Sequence, residues 1–203
     1  MAQTLNIYLV NQAGDLGGLF EAQHRTTSGN LLKTFFEGCI KGVPRYDSVA
    51  VSWDGRKSAP TAFDFVCYVL TSSKDSIAEK KGSGGILGVS GSTVQADIGD
   101  GIISEVYLQQ IVQGGDPRGL ATANRENAVA ACVMHELAHN LLDASNPVVA
   151  EVHKITGGVI LRDTGPSPLQ PAETPNAVDF SKMQAGFMRR AQGVKQYTDA
   201  MPA

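Results

Sequence analysis

An α+β or α/β domain, built on a twisted mixed sheet of about five strands, is what this sequence predicts. Three observations carry that expectation. Short apolar or alternating runs, of the length and β-branched content of strands, recur through residues 5–111. Two long stretches instead place their apolar residues at helical spacing. The chain has 203 residues and is 42% hydrophobic and 18% charged, enough for one sizeable core and too little to expect two independent domains.

The elements follow in order. Leu5 to Val10 alternates and is rich in aliphatic residues, a first strand. From Ser28 to about Gly42, Leu31, Leu32, Phe35, Phe36, Cys39 and Ile40 recur at helical spacing, with Thr27 or Ser28 as N-cap and Gly42 as stop. Ser48 to Trp53 alternates strictly and ends at Asp54-Gly55, a strand and then a turn. Phe63 to Thr71 is almost continuously apolar, as a strand buried on both faces would be. Gly84 to Ser90 is a short apolar segment pinched by glycines, and Ile102 to Ile111 is a further strand. A long helix is expected from near Asn124 to about Asp143, capped by Thr122 or Asn124, with Glu126 in its first turn favoured by the helix dipole. Its Val129, Val133, Leu137 and Leu141 form one stripe, and Ala128, Cys132, His135, His139 and Leu142 lie on a neighbouring face. Asn146-Pro147 stops the helix, because the residue before proline is pushed out of the α region. Four prolines between Thr164 and Asn176 mark an irregular loop. A final helix is expected from Asp179 to about Val194, with Ser181 and Gln184 spaced as a capping box.

Composition narrows the function. The net charge of −3 and pI near 5.8 leave no broad basic surface for nucleic acid. No apolar run reaches membrane-spanning length. The start of the chain, Met1-Ala2-Gln3-Thr4, lacks a basic region and a small-residue cleavage site. It reads as the approach to a strand, not as a signal peptide, so the expected location is the cytoplasm, or outside the cell by a leaderless route. Cys39, Cys67 and Cys132 are odd in number, widely spaced and set in apolar stretches, which fits neither a disulfide framework nor a cysteine zinc site.

The most informative string is His135-Glu136-Leu137-Ala138-His139. Residues four apart on a helix project from the same side, so both imidazoles can reach one metal ion. Zinc favours nitrogen ligands, and the carboxylate beside the first histidine can act as general base toward water. The bland alternative is a solvated amphipathic helix that happens to carry two histidines. His24 reads as a solvated histidine ahead of the first helix.

The order of elements, with this motif on the long helix, resembles the metzincin metalloproteases. At the level of letters the resemblance rests on His135 to Leu141 and on Gly84-Gly85-Ile86-Leu87-Gly88. It implies a single catalytic domain over 1–203, with residues 1–143 as an N-terminal subdomain and 144–203 as a small irregular and helical C-terminal subdomain. The first helix would back the sheet and the long helix would carry the active site. The glycine-pinched segment would be an edge strand that pairs with an extended substrate through Ile86, Leu87, Gly88 and Val89. The family continues its motif with a glycine and then a third ligand, where this chain has Leu142 and Ser145. A serine hydroxyl is a poor zinc ligand, so the third must come from elsewhere. Asp143 lies one more turn along the helix. His153 lies beyond the Asn146-Pro147 break, ahead of Thr156-Gly157-Gly158-Val159-Ile160-Leu161, a string similar to the region of the family's methionine turn but without the methionine. His153 is the favoured candidate and Asp143 the alternative.

The function expected is a zinc-dependent metalloendopeptidase acting on a peptide or protein substrate. His135, His139 and His153 would hold Zn2+, Glu136 would be the catalytic base, and Tyr107 or Tyr197 could assist the oxyanion. Two rivals use the same residues: a zinc-stabilised, non-catalytic peptide-binding module, and a zinc hydrolase of a non-peptide amide.

Overall fold

The computed structural model describes residues 2–53, 64–75, 88–90, 103–109, 111–112, 125–141 and 177–190. Within them, five strands form one sheet: β1 (Gln3–Asn11), β2 (Tyr46–Trp53), β3 (Asp64–Leu70), β4 (Gly88–Ser90) and β5 (Ile103–Tyr107). The strand order is β2-β1-β3-β5-β4. Four strands run parallel, while β4 is antiparallel to β5 and stands at one end of that order. The architecture is mixed α/β. Three helices of several turns accompany the sheet among the described residues: α1 (Ala22–Ile40), α2 (Arg125–Leu141) and α3 (Ala177–Arg190). None of the helices described is long and apolar enough to cross a membrane.

Strand register assigns the faces. Leu5, Ile7 and Leu9 of β1 are buried and stand level with Val49, Val51 and Trp53 on β2 and with Phe65 and Cys67 on β3. This face meets α1, whose Gly29 lies against Val51 and Trp53. The opposite face of β1 is half-buried and carries Asn6, whose amide donates to the Asp64 carboxylate at 2.8 Å. β3 is buried at every position, as its near-continuous apolar sequence predicts for a central strand.

The helix ends differ from those the apolar pattern marks. α1 begins at Ala22, six residues before the expected start at Ser28. Its first turns contain no large apolar residue, so hydrophobic spacing does not register them. They are stabilised by polar groups instead. Nδ1 of His24 accepts the backbone N–H of Glu21 at 2.9 Å, one half of a capping box. The Thr26 and Thr27 hydroxyls donate to carbonyls one turn back. His24 is therefore not solvated: it is buried, stacks on Phe20, and places Nε2 at 3.6 Å from Oε1 of Glu126. Arg125 donates to the Leu19 carbonyl at 2.8 Å. Both contacts join the chain around the start of α1 to the first turn of α2.

α3 begins at Ala177, so Ser181 lies inside the helix and is not its cap. Gln184, expected in that capping box, donates to the Lys41 carbonyl just past α1. Phe187 is the anchor of α3. Its ring meets Phe36, Tyr46 and Phe65 edge-on at centroid distances of 6.2, 5.3 and 6.2 Å, joining α1, β2 and β3.

α1 and α3 cross at Gly38, where a Cβ would stand 2.6 Å from the Phe180 ring. Glycine inside a helix is about 1 kcal/mol worse than alanine, but overpacking costs about 1–3 kcal/mol. Gly38→Ala should therefore destabilise the protein by about 1 kcal/mol net. In a Phe180→Ala background the same change should stabilise it, a sign reversal readable by urea denaturation of the four variants.

Candidate functional site

α2 is an amphipathic helix drawn into the core on more than one side. From Ala128 to Ala138 every residue is buried, not only the stripe of Val129, Val133, Leu137 and Leu141 that apolar spacing marks. Small residues make this seat close: Ala128, Ala130, Ala131 and Cys132 let the backbone approach the sheet, and α2 packs on β3, β5 and β4. The contacts of its first turn with the start of α1 fix its direction. It starts at the carboxyl ends of the parallel strands and runs back toward their amino ends, so the motif comes level with the beginning of β5.

There, His135 is 5% and Glu136 7% exposed. Burial of two such polar residues is costly unless they are paired, and both have interaction partners. A solvated helix face would have left both in water. The Ser104 hydroxyl of β5 donates to the backbone carbonyl of Glu136 at 3.1 Å, both groups being buried. Cys132, one turn before Glu136, and Cys67 of β3 lie on the same side. Burial pushes both thiols well above their usual range, and the charge of Glu136 pushes each further; Cys67 also feels Glu105 and Cys132. The charge of Glu136 is thus felt by thiols on both α2 and β3.

β4 borders β5. Its register sets Gly88 opposite Val106, Val89 opposite Glu105 and Ser90 opposite Ser104. Among the described residues no strand lies on its outer side. Tyr107 is not available to an oxyanion beside α2. Strand alternation sends Glu105 and Tyr107 to the face opposite Ser104, where the Tyr107 hydroxyl donates to the Glu105 carboxylate at 3.2 Å.

Of the expected site residues, His135 and Glu136 lie in the carboxyl-terminal half of α2, and Gly88 and Val89 lie on β4. His139 is part of the same unbroken helix, four residues from His135. Its side chain lies outside the described residues, as do Asp143, His153, Tyr197, Ile86 and Leu87. Among the described residues no three His, Cys, Asp or Glu side chains converge as a metal site; of the three ligands expected, these residues include only the His135 side chain. Ser104 was not singled out from the sequence. Its one visible signal is a hydroxyl between Ile103 and Val106, at a strand position whose alternation calls for an apolar residue.

No protein-family model matches this chain, and no curated protein is significantly similar to it.

All three cysteines are buried thiols, none of them in a disulfide. The native protein should leave all three unreacted toward a thiol reagent, and denaturant should release all three, a difference read by absorbance with and without urea. The raised thiols also set a pH dependence. Below about pH 8.5 they are protonated folded and unfolded alike. Above it the unfolded chain ionises first, so stability should fall as pH rises, and denaturant midpoints should drop from about pH 8 to about pH 10. Replacing Cys67 by alanine should flatten that fall.

Proposed function

We propose that this chain is a zinc-dependent metalloendopeptidase, a hydrolase of peptide bonds with Glu136 as general base. The observation that carries the reading is one unbroken helix holding His135, Glu136 and His139, with its first two motif residues buried beside the antiparallel edge of the sheet. The element order, strand, helix, three strands ending in an antiparallel edge, fifth strand and long helix, is the order on which the likeness to metzincins rests, and it supports that likeness.

The donor set fits zinc. Two imidazoles one helical turn apart give a pair of nitrogen ligands, and His153, with Asp143 as alternative, would complete three. Zinc held there would supply a Lewis acid that polarises the scissile carbonyl and acidifies water. Glu136 accepts the proton of the attacking water and passes it to the leaving amine. Its burial favours this, because proton transfer in a dry site meets little competing solvation. The edge strand β4, with Ile86 and Leu87 before it, would hold the substrate backbone extended by strand addition, so that Ile86, Leu87, Gly88 and Val89 bind it. On this reading residues 1–203 are one catalytic domain, with 144–203 as its smaller C-terminal subdomain. The partner is a peptide or protein.

Zinc content and peptide cleavage, with and without a chelator, test the proposal together. Glu136→Ala should retain zinc and lose cleavage by about 100-fold or more, whereas His135→Ala and His139→Ala should lose the metal as well. Parental cleavage rates in Glu136→Ala would remove the carboxylate from the mechanism. Zinc binding with no peptidase activity, but with cleavage of a non-peptide amide, would move the enzyme to that class. Tight zinc with neither activity would favour the binding module.

A further inference from the structure

The geometry points to Ser104 as a positioning residue for Glu136, an inference that rests on the metallopeptidase reading. Ser104 is wholly buried, the second residue of β5, and its hydroxyl donates to the Glu136 carbonyl at 3.1 Å. In a regular helix that carbonyl also accepts the amide of Asn140, and its second lone pair is free to take the Ser104 hydroxyl. The helix does not need this bond to satisfy its backbone. What the bond adds is a directional link between the sheet and the one peptide unit that bears the general base.

The place of Ser104 in the sheet gives the link its consequence. Ser104 is paired with Cys67 of β3 on one side and with Ser90 of β4 on the other. A substrate strand added to β4 would be in register with β5 through β4, and the Ser104 hydroxyl would carry that register to the backbone of Glu136. The other contacts of α2 with the sheet include apolar packing, whose hydrophobic driving force is non-directional, whereas a hydrogen bond fixes distance and angle. Misplacement of a reacting group by about 1 Å is enough to cost about 100-fold in rate. Ser104 therefore sets the distance between base and scissile bond without touching either. It does not set zinc affinity, because its bond is to a backbone carbonyl and not to an imidazole.

The test compares the parent with Ser104→Ala, Ser104→Cys and Ser104→Thr. For Ser104→Ala and Ser104→Cys, kcat should fall by about 10- to 100-fold, with KM changed by less than about twofold and zinc stoichiometry retained. Ser104→Thr keeps the hydroxyl on a β-branched residue suited to a strand and should recover most of kcat. Hydrogen exchange supplies a readout independent of turnover. In Ser104→Ala, amides 136–141 should exchange about tenfold faster while those of α1 hold their parental rates. An active parent with an equally active Ser104→Ala would overturn the inference and leave the metallopeptidase reading standing. A zinc-loaded parent that cleaves nothing would overturn that reading instead. In that event the exchange data still decide the link, and unchanged protection at 136–141 would overturn it. A uniform loss of protection over α1 and α2 would also overturn it, since Ser104 would then be an ordinary core hydroxyl.

Discussion

The seating of α2 in the core is the constraint on which the rest of this structure depends. Eleven consecutive residues, Ala128 to Ala138, are buried on a helix that also bears a histidine and a glutamate. An apolar stripe alone would dock such a helix along one side. Here alanines and Cys132 on the flanks let it sink until His135 and Glu136 are also out of solvent. The hydrophobic contribution is large, roughly 1.5–3 kcal/mol for each fully buried Val, Leu or Met side chain. That surplus allows two polar groups to be held where water would otherwise solvate them. Apolar burial and the cost of desolvating polar groups therefore oppose each other along one helix.

Each of the remaining elements limits the freedom of α2 in a different way. The polar contacts of His24 and Arg125 fix its first turn against the start of α1. Phe187 of α3 fills the space between α1 and the strands, near the end toward which α2 runs. Ser104 holds its carboxyl-terminal half to β5. The position of the motif against the edge strand is thus set from the sheet as well as from both neighbouring helices.

The sequence was most readable where burial follows a simple period. β3 is buried throughout and reads as a continuous apolar run, while β1 and β2 alternate and are half-covered. The stripe of α2 is legible for the same reason. The start of α1 was not legible, because Ala22 to Thr27 folds through side-chain bonds to its own backbone, which leave no trace in hydropathy. The same holds for the second buried face of α2: alanine carries little hydropathy signal, so a close approach of backbones is invisible until the sheet is in place. His135, Glu136 and His139 stand out from spacing alone, since residues four apart on one helix face are a local matter. Ser104 could not be found that way. Its partner lies 32 residues along the chain, and only the pairing of β5 with its neighbours turns it toward α2.

Alternation in β5 separates two kinds of polar residue that a sequence alone leaves mixed. Ser104 faces the helix, whereas Glu105 and Tyr107 face the other side and bond to each other. A one-residue slip of β5 would exchange the two sets, putting a carboxylate and a phenol beneath α2 and an isolated hydroxyl on the far face. The link to Glu136 would not survive it, whereas the Tyr107–Glu105 bond, made within one strand, would move with the strand. Of these polar groups it is the hydroxyl in front of the sheet, bonded to another element, that bears on the register. Ser104 is also the register partner of Ser90, so the hydroxyl that meets α2 lies on the row that joins β5 to β4.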